Sequence, residues 1–296
     1  MVESGSVSKH EFKAEVKQLL DILVHSLYTN KEVFLRELVS NGSDALDKLR
    51  FETNRGSEVA DSDLPLEIRI TFDKDRNLLV IADTGIGMSR DEVVENIGTI
   101  ARSGSAEFLK RAQEEQGGLE GLVGKFGVGF YSVFMVAREV VIRTKSFIPG
   151  EPAVEWRSDG LGTYEIVSLD EEVKRGTRIE VHLKDDAKEY AEKYRLTDII
   201  KKHSNFISFP IFVEDEQVNT IPAIWREPKF SVTQEQYNEF YKFLTFDTEE
   251  PMETIHISVD APVQFSSLLF IPKKGYDLPG FGKDRHRSEE HTSELQ

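Results

Sequence analysis

The sequence predicts an α+β fold, and three observations carry that reading. Residues 11 to 50 hold leucines at helix-compatible spacing (Leu19, Leu20, Leu23, then Leu35, Leu38, Leu46, Leu49). Residues 66–70 alternate like a strand and residues 78–82 form a short apolar run, joined by the polar stretch 73–77, which predicts a hairpin. Further strand-like runs follow at 140–145, 163–167 and 177–183.

Taken in order, the first helical pattern breaks at Asn30, so two helices are expected before residue 50. Ser89-Arg90-Asp91-Glu92 has capping-box spacing and predicts a helix running to about Ile100. Residues 101–123 change character: Ser103-Gly104-Ser105, a charged helical piece from 106 to 116, then Gly117, Gly118 and Gly121. Glycines bracketing a short amphipathic segment suit a lid, and equally a loose surface loop. An apolar helix is expected over 130–136 and a longer one over about 188–206, followed by a strand at 211–214. The chain turns polar at 215–220, the expected domain boundary. Thr233-Gln234-Glu235-Gln236 is a second capping box, followed by strands at 253–259 and 264–271.

Composition narrows the function classes. Of 296 residues, 39% are hydrophobic and 30% charged, enough for a core beneath a solvated surface. No apolar run approaches the roughly 18 to 20 residues of a membrane span, and residues 1–9 carry no signal core or Arg-rich targeting stretch, so a cytoplasmic protein is expected. The absence of cysteine removes disulfides, thiol catalysis and thiolate metal sites, and the seven histidines show no paired spacing for zinc. A net charge of −16 without a basic patch argues against nucleic acid as a partner.

Three constellations carry chemistry. On a helix advancing about 100° per residue, Glu37, Asn41, Asp44 and Lys48 fall within about 60° of one another, beside the sector of Phe34, Leu35, Leu38, Val39, Ala45, Leu46 and Leu49. A polar stripe bordering the core face can line a cleft, where a carboxylate orients water and an amide oxygen joins a magnesium shell. Alone, it reads as well as a solvated face with i,i+4 pairs. Gly42 falls within the apolar sector, where it permits close packing. Asp83-Thr84-Gly85-Ile86-Gly87-Met88 ends a buried strand; its aspartate can accept from an exocyclic amine such as adenine's, or the segment is simply a tight turn. It lacks the third glycine of a dinucleotide-binding fingerprint. Gly124-Lys125-Phe126-Gly127-Val128-Gly129-Phe130 can cradle phosphate with backbone N–H groups, but Phe126 and the off-register Gly118 rule out a P-loop.

The order and spacing of these segments are specific. Glu37 to Ala45, Asp83 to Met88 and Gly124 to Ser132 resemble the three boxes of the Bergerat ATP-binding fold, shared by gyrase B, MutL, histidine kinases and the 90-kilodalton heat-shock proteins. Residues 28–38, 98–104 and 130–134 resemble the heat-shock branch in particular. The likeness extends from about His10 to Lys274, and the short boundary near Asp215 looks bacterial or organellar.

That resemblance implies a two-layer α/β sandwich, with a mixed, largely antiparallel sheet under helices, followed by the start of an α/β middle domain. It implies Mg-ATP as ligand. Glu37 would be the general base or water-orienting residue and Asn41 the magnesium-holding amide. Asp83 would contact the adenine amine with support from Gly87 and Thr177; Met88 and Phe130 would be apolar walls and Asn96 a ribose or phosphate contact. Gly127, Val128, Gly129 and Phe130 would form the phosphate nest, and Ser103, Gly104 and the residues to about Gly121 the lid. Two departures stand out: Lys125 replaces the usual glutamine, and Gly42 replaces alanine or serine, which loosens a helix by about 1 kcal/mol relative to alanine.

The expected organisation is an ATP-binding domain over 1–214 and a partial middle domain over 215–286. Residues 287–296 do not continue the family pattern and read as translated sequencing-adapter read-through on a partial gene fragment. The expected function is ATP-driven remodelling of unfolded client proteins by a homodimeric chaperone, without nucleic acid or membrane. Two alternatives are a nucleotide-binding fragment without significant turnover and a DNA-acting ATPase of the same fold.

Overall fold

The computed structural model describes residues 8–11, 30–98, 129–170, 172–259, 261 and 265–273. The predicted helix before Asn30, the lid segment, Gly124 to Val128 and the tail at 287–296 lie outside them. The chain divides into two compact units, Met1–Ile221 and Pro222–Gln296.

The first unit is a nine-stranded sheet with helices. Its strands are β1 (Ser8–Glu11), β2 (Ile68–Asp73), β3 (Leu78–Asp83), β4 (Ala137–Lys145), β5 (Ala153–Ser158), β6 (Thr163–Leu169), β7 (Gly176–Leu183), β8 (Ile211–Val213) and β9 (Glu216–Gln217). They lie in the order β1-β6-β5-β4-β7-β3-β2-β8-β9. Among the described residues only β2 and β8 run parallel, and the other pairings are antiparallel. The expected mixed, largely antiparallel sheet is therefore present.

Side chains alternate across a strand, so the register decides what faces the core. One row of cross-strand partners runs Ile166–Trp156–Ile142–Ile179–Ile81–Ile70–Val213 across seven strands, every member buried. The opposite face carries charge: Arg143 reaches Glu155 (2.8 Å) and Glu180 (3.2 Å), and Arg157 reaches Glu155 (3.3 Å). Such solvent-side pairs add little stability each, but they keep that face wet.

Helix α1 (Val33–Asn54) presents Phe34, Leu35, Leu38, Val39, Gly42, Leu46 and Leu49 as its buried stripe, as the 3.6-residue period predicts. Asn30 accepts the Glu32 N–H through its side chain (3.0 Å), which breaks the chain just before the helix. At Gly42 an added β-carbon would sit 3.2 Å from Ile68 Cδ1 and 3.5 Å from Asp83 Cβ. The flexibility cost of this glycine is thus offset by close packing on the sheet. Helix α2 (Arg90–Asn96) starts at the Ser89 capping box and ends earlier than the expected Ile100.

Two expectations need correction, and one strand went unpredicted. The helix over 188–206 is instead a 3-10 segment (Asp185–Ala191) and helix α3 (Lys193–His203), separated by Glu192 in extended conformation. The helix over 130–136 is a 3-10 helix, Gly129–Met135. Strand β5 had no predicted counterpart.

Glu32, at the start of α1, joins that helix to α3: its carboxylate meets Arg195 (2.8 Å), Lys202 (3.2 Å) and His203 (3.2 Å). Burial would raise its pKa, but hydrogen bonds from His203, Asn30 and Lys202 and the charge of Arg195 bring it down to about 2.

The polar turn near Asp215 is a hairpin between β8 and β9, and Asn219 holds the strand start through Ile211 N (2.7 Å). The division between units consequently falls after it. The second unit holds helix α4 (Gln234–Thr245), opened by the Thr233 capping box, and an antiparallel pair, β10 (Glu253–Val259) with β11 (Phe265–Ile271). Tyr237 and His256 are in hydrogen-bond contact there (2.7 Å).

Candidate functional site

A cleft of about 400 Å³ opens between α1 and the sheet in the first unit. Helix α1 lines it with Glu37, Asn41, Asp44 and Lys48, the polar stripe that borders its apolar face. Asp83 ends β3, Gly87 and Met88 follow in the next turn, Asn96 closes α2, Gly129 and Phe130 open the 3-10 helix, and Thr177 begins β7. These nine predicted residues (Glu37, Asn41, Asp83, Gly87, Met88, Asn96, Gly129, Phe130 and Thr177) line one cavity. Ser103, Gly104, Gly127 and Val128 lie outside the described residues.

The floor of the cleft follows from sheet register. Two residues along from the buried isoleucine row, on the same face, the cross-strand partners are Asp83, Thr177 and Thr144. They form a short polar island between apolar neighbours Ile68 and Val154. Thr144 and Thr177 hydroxyls lie 3.1 Å apart, and Thr144 also donates to the Gly176 carbonyl (3.0 Å) and accepts the Met88 N–H (3.0 Å). Sequence reasoning missed Thr144. Its signal was parity alone, two residues beyond Ile142.

Asp83 Oδ1 accepts the Gly85 N–H at 2.8 Å. Burial pushes its carboxyl up to about 7, against the backbone donors at Gly85 and Thr177 and the Arg175 charge, which hold it down. An aspartate balanced this way, set among Ile81, Ile142, Ile179 and Met88, can accept a hydrogen bond from a polar group in the cleft when ionised.

Glycine is required where backbones meet. Gly87 has φ +63° and its α-carbon faces the Lys145 carbonyl, where a β-carbon would collide. Gly129 has Glu37 resting on it, so a β-carbon there would run into Glu37 Oε2. On its other side Glu37 Oε1 takes Arg36 Nη2 (3.1 Å) and Nε (3.2 Å). The carboxylate that borders the cleft is thereby held from two directions.

The residues fit a nucleotide. The volume is that of a small-molecule site, with apolar walls for a base, one buried carboxylate beside a hydroxyl pair, and a polar stripe toward solvent. For a metal, the described residues contain no group of three His, Cys, Asp or Glu side chains that could hold an ion alone. A divalent ion here would need ligand phosphates beside the Asn41 amide, the donor set magnesium accepts.

The family profile described as histidine kinase-, DNA gyrase B- and HSP90-like ATPase matches residues 28–151, and the Hsp90 protein profile matches residues 212–283. The chain is 54% identical to the chaperone protein HtpG of Oleidesulfovibrio alaskensis over 282 residues, 95% of this chain and 44% of that protein. It is 54% identical to HtpG of Nitratidesulfovibrio vulgaris over 283 residues (94% and 44%), and 49% identical to that of Chlorobium luteolum over 273 residues (92% and 44%). The chain thus spans less than half the length of the curated relatives it matches. Among the described residues, no helix is long and apolar enough to cross a membrane.

Proposed function

The chain belongs to the Hsp90 family, and on that premise we propose that its first unit binds Mg-ATP in the cleft under α1. Within the whole protein, hydrolysis of that ATP drives the folding and remodelling of unfolded client proteins by a cytoplasmic homodimer. The observation that carries most support is the convergence of all three motif boxes on one cleft: Glu37 and Asn41, Asp83, and Gly129 with Phe130.

Asp83 takes the adenine amine as hydrogen-bond acceptor, with Thr177 beside it and Met88 and Phe130 against the apolar faces of the nucleoside. Asn96 contacts ribose or phosphate, and the N–H groups of Gly129 and Phe130 receive the phosphates. The Asn41 amide oxygen, together with the nucleotide's phosphates, would hold magnesium, which would supply charge neutralisation toward the leaving ADP. Glu37 orients a water whose oxygen attacks the γ-phosphorus, the bond to the β–γ bridging oxygen breaks, and Glu37 takes the water's proton and returns it to the phosphate product.

The test is phosphate release from ATP by wild type and Glu37→Ala, with ATP binding measured on both. The reading predicts equal binding and release only from wild type. Binding without release in wild type instead supports a nucleotide-binding module without significant turnover. Turnover stimulated by DNA would support a DNA-acting ATPase, which the net charge of −16 opposes.

A further inference from the structure

Arg175 precedes β7, only 3% exposed, and is absent from the cleft lining. Its guanidinium engages main-chain carbonyls: Nη1 donates to Thr84 O and to Gly85 O (2.8 Å), Nε to Ala60 O (2.9 Å) and Nη2 to Asp61 O (3.3 Å). Its own backbone N–H donates to Asp61 Oδ2 at 2.9 Å, and Lys174 Nζ reaches Asp61 Oδ1 at 3.3 Å. Asp61 holds φ at +50°, a conformation unusual for a side-chain-bearing residue that such surrounding contacts maintain. The next residue, Gly176, has φ +118°, and a β-carbon on it would collide with the Asp83 carbonyl oxygen.

The two carbonyls gripped by Nη1 belong to successive peptide planes, and a peptide is planar, so holding its C=O also aims its N–H. The first plane ends in the Gly85 N–H that donates to Asp83 Oδ1 (2.8 Å). The second ends in the Ile86 N–H that donates to the Ala45 carbonyl on α1 (3.0 Å). At Gly85 itself a β-carbon would lie 2.7 Å from Ala45 backbone, so the turn is pressed directly on that helix.

We propose that Arg175 is a positioning residue for base selection: by clamping Thr84 and Gly85 it fixes Asp83 Oδ1 on the Gly85 N–H and so orients the carboxylate that receives the exocyclic amine of the base. The inference rests on the reading of the cleft as an adenine-nucleotide site. A lysine cannot replace the arginine, because a single ammonium cannot span carbonyls on both Thr84–Gly85 and Ala60–Asp61 as a planar fork does. A guanidinium touching only carbonyls tunes selectivity without touching ligand.

The experiment is calorimetric titration of the full chain with ADP and with inosine diphosphate, which carries an oxo group in place of the amine. Wild type, Arg175→Met and Arg175→Lys are compared, with binding stoichiometry reporting the folded fraction. Wild type is expected to prefer ADP, and both variants to lose about tenfold or more of the ADP-to-inosine ratio. A merely structural role lowers both affinities together; a ratio within about twofold of wild type in the variants therefore overturns the inference. If Arg175→Met does not fold, the Arg175→Lys ratio decides. A wild type that shows no preference for ADP removes the adenine reading and the inference with it, whereas a preference that persists in the variants removes the inference alone.

Discussion

The carboxylate of Glu37 occupies the space that a β-carbon on Gly129 would need, although 92 residues separate the two positions in the chain. Arg36 holds the other oxygen, so an added methyl group would displace the glutamate together with that pair or break it. Gly129→Ala should therefore cost about 10-fold or more in ATP turnover, by displacing the water-orienting group. Because the loss runs through Glu37, it should not add to the loss in Glu37→Ala. Steady-state phosphate release from the two single variants and the double variant tests this; a double variant slower than Glu37→Ala alone would show a separate role for Gly129.

Asp83 works against the fold. Its folded-state pKa of about 7 lies above the ordinary carboxylate value, so between about pH 4 and 7 the folded chain binds the extra proton and Asp83 weakens stability as pH rises. Asp83→Asn keeps an oxygen for the Gly85 N–H and removes the buried charge. It should raise stability in urea by on the order of 2 kcal/mol at pH 8 and by much less at pH 4. Equal effects at both pH values would contradict this account of the burial cost.

Thr144 holds the site floor through three contacts, to Met88 N, Gly176 O and Thr177 Oγ1. Thr144→Val preserves shape and strands a main-chain N–H, which costs about 1–3 kcal/mol of stability. ADP affinity should fall about 5-fold or more as Met88 and Thr177 shift, and Thr144→Ser should restore both. Chemical denaturation and ADP titration of the two variants check it.

Glu32 is the opposite case to Asp83. Its folded pKa of about 2 lies below the unfolded value of 4.5, so its contribution is complete above about pH 4.5 and is lost as pH falls toward 2. Glu32→Gln should destabilise the first unit by about 3 kcal/mol at pH 7, since it leaves Arg195 and Lys202 without their shared carboxylate. Urea midpoints of wild type and variant should converge by about pH 2–3.

Much of this architecture was legible locally. The faces of α1 follow from helical periodicity, which sorted Glu37 and Asn41 from Leu38 and Leu46, and both capping boxes begin helices where their spacing says. Strand β5 was not legible because its inward face carries only two large apolar residues, Val154 and Trp156, before the buried Ser158. Trp156 becomes a core residue through its partners Ile142 and Ile166, which register alone supplies. The Gly129–Met135 segment is buried almost throughout, so its apolar run has no wet face to mark the difference between α and 3-10 winding. Among the cleft's supports, Thr144 and Arg175 escaped for a related reason. Both act on main-chain groups brought to them by tertiary contact, and no local motif encodes that.

The central claim is that the cleft recognises adenine through Asp83. It is tested most directly by calorimetric titration of wild type and Asp83→Asn with ADP at pH 8, where the carboxylate is ionised. Saturable one-to-one binding to wild type, lost by about 100-fold or more in a folded Asp83→Asn, is the predicted result. Equal affinity of the two proteins for ADP would contradict it.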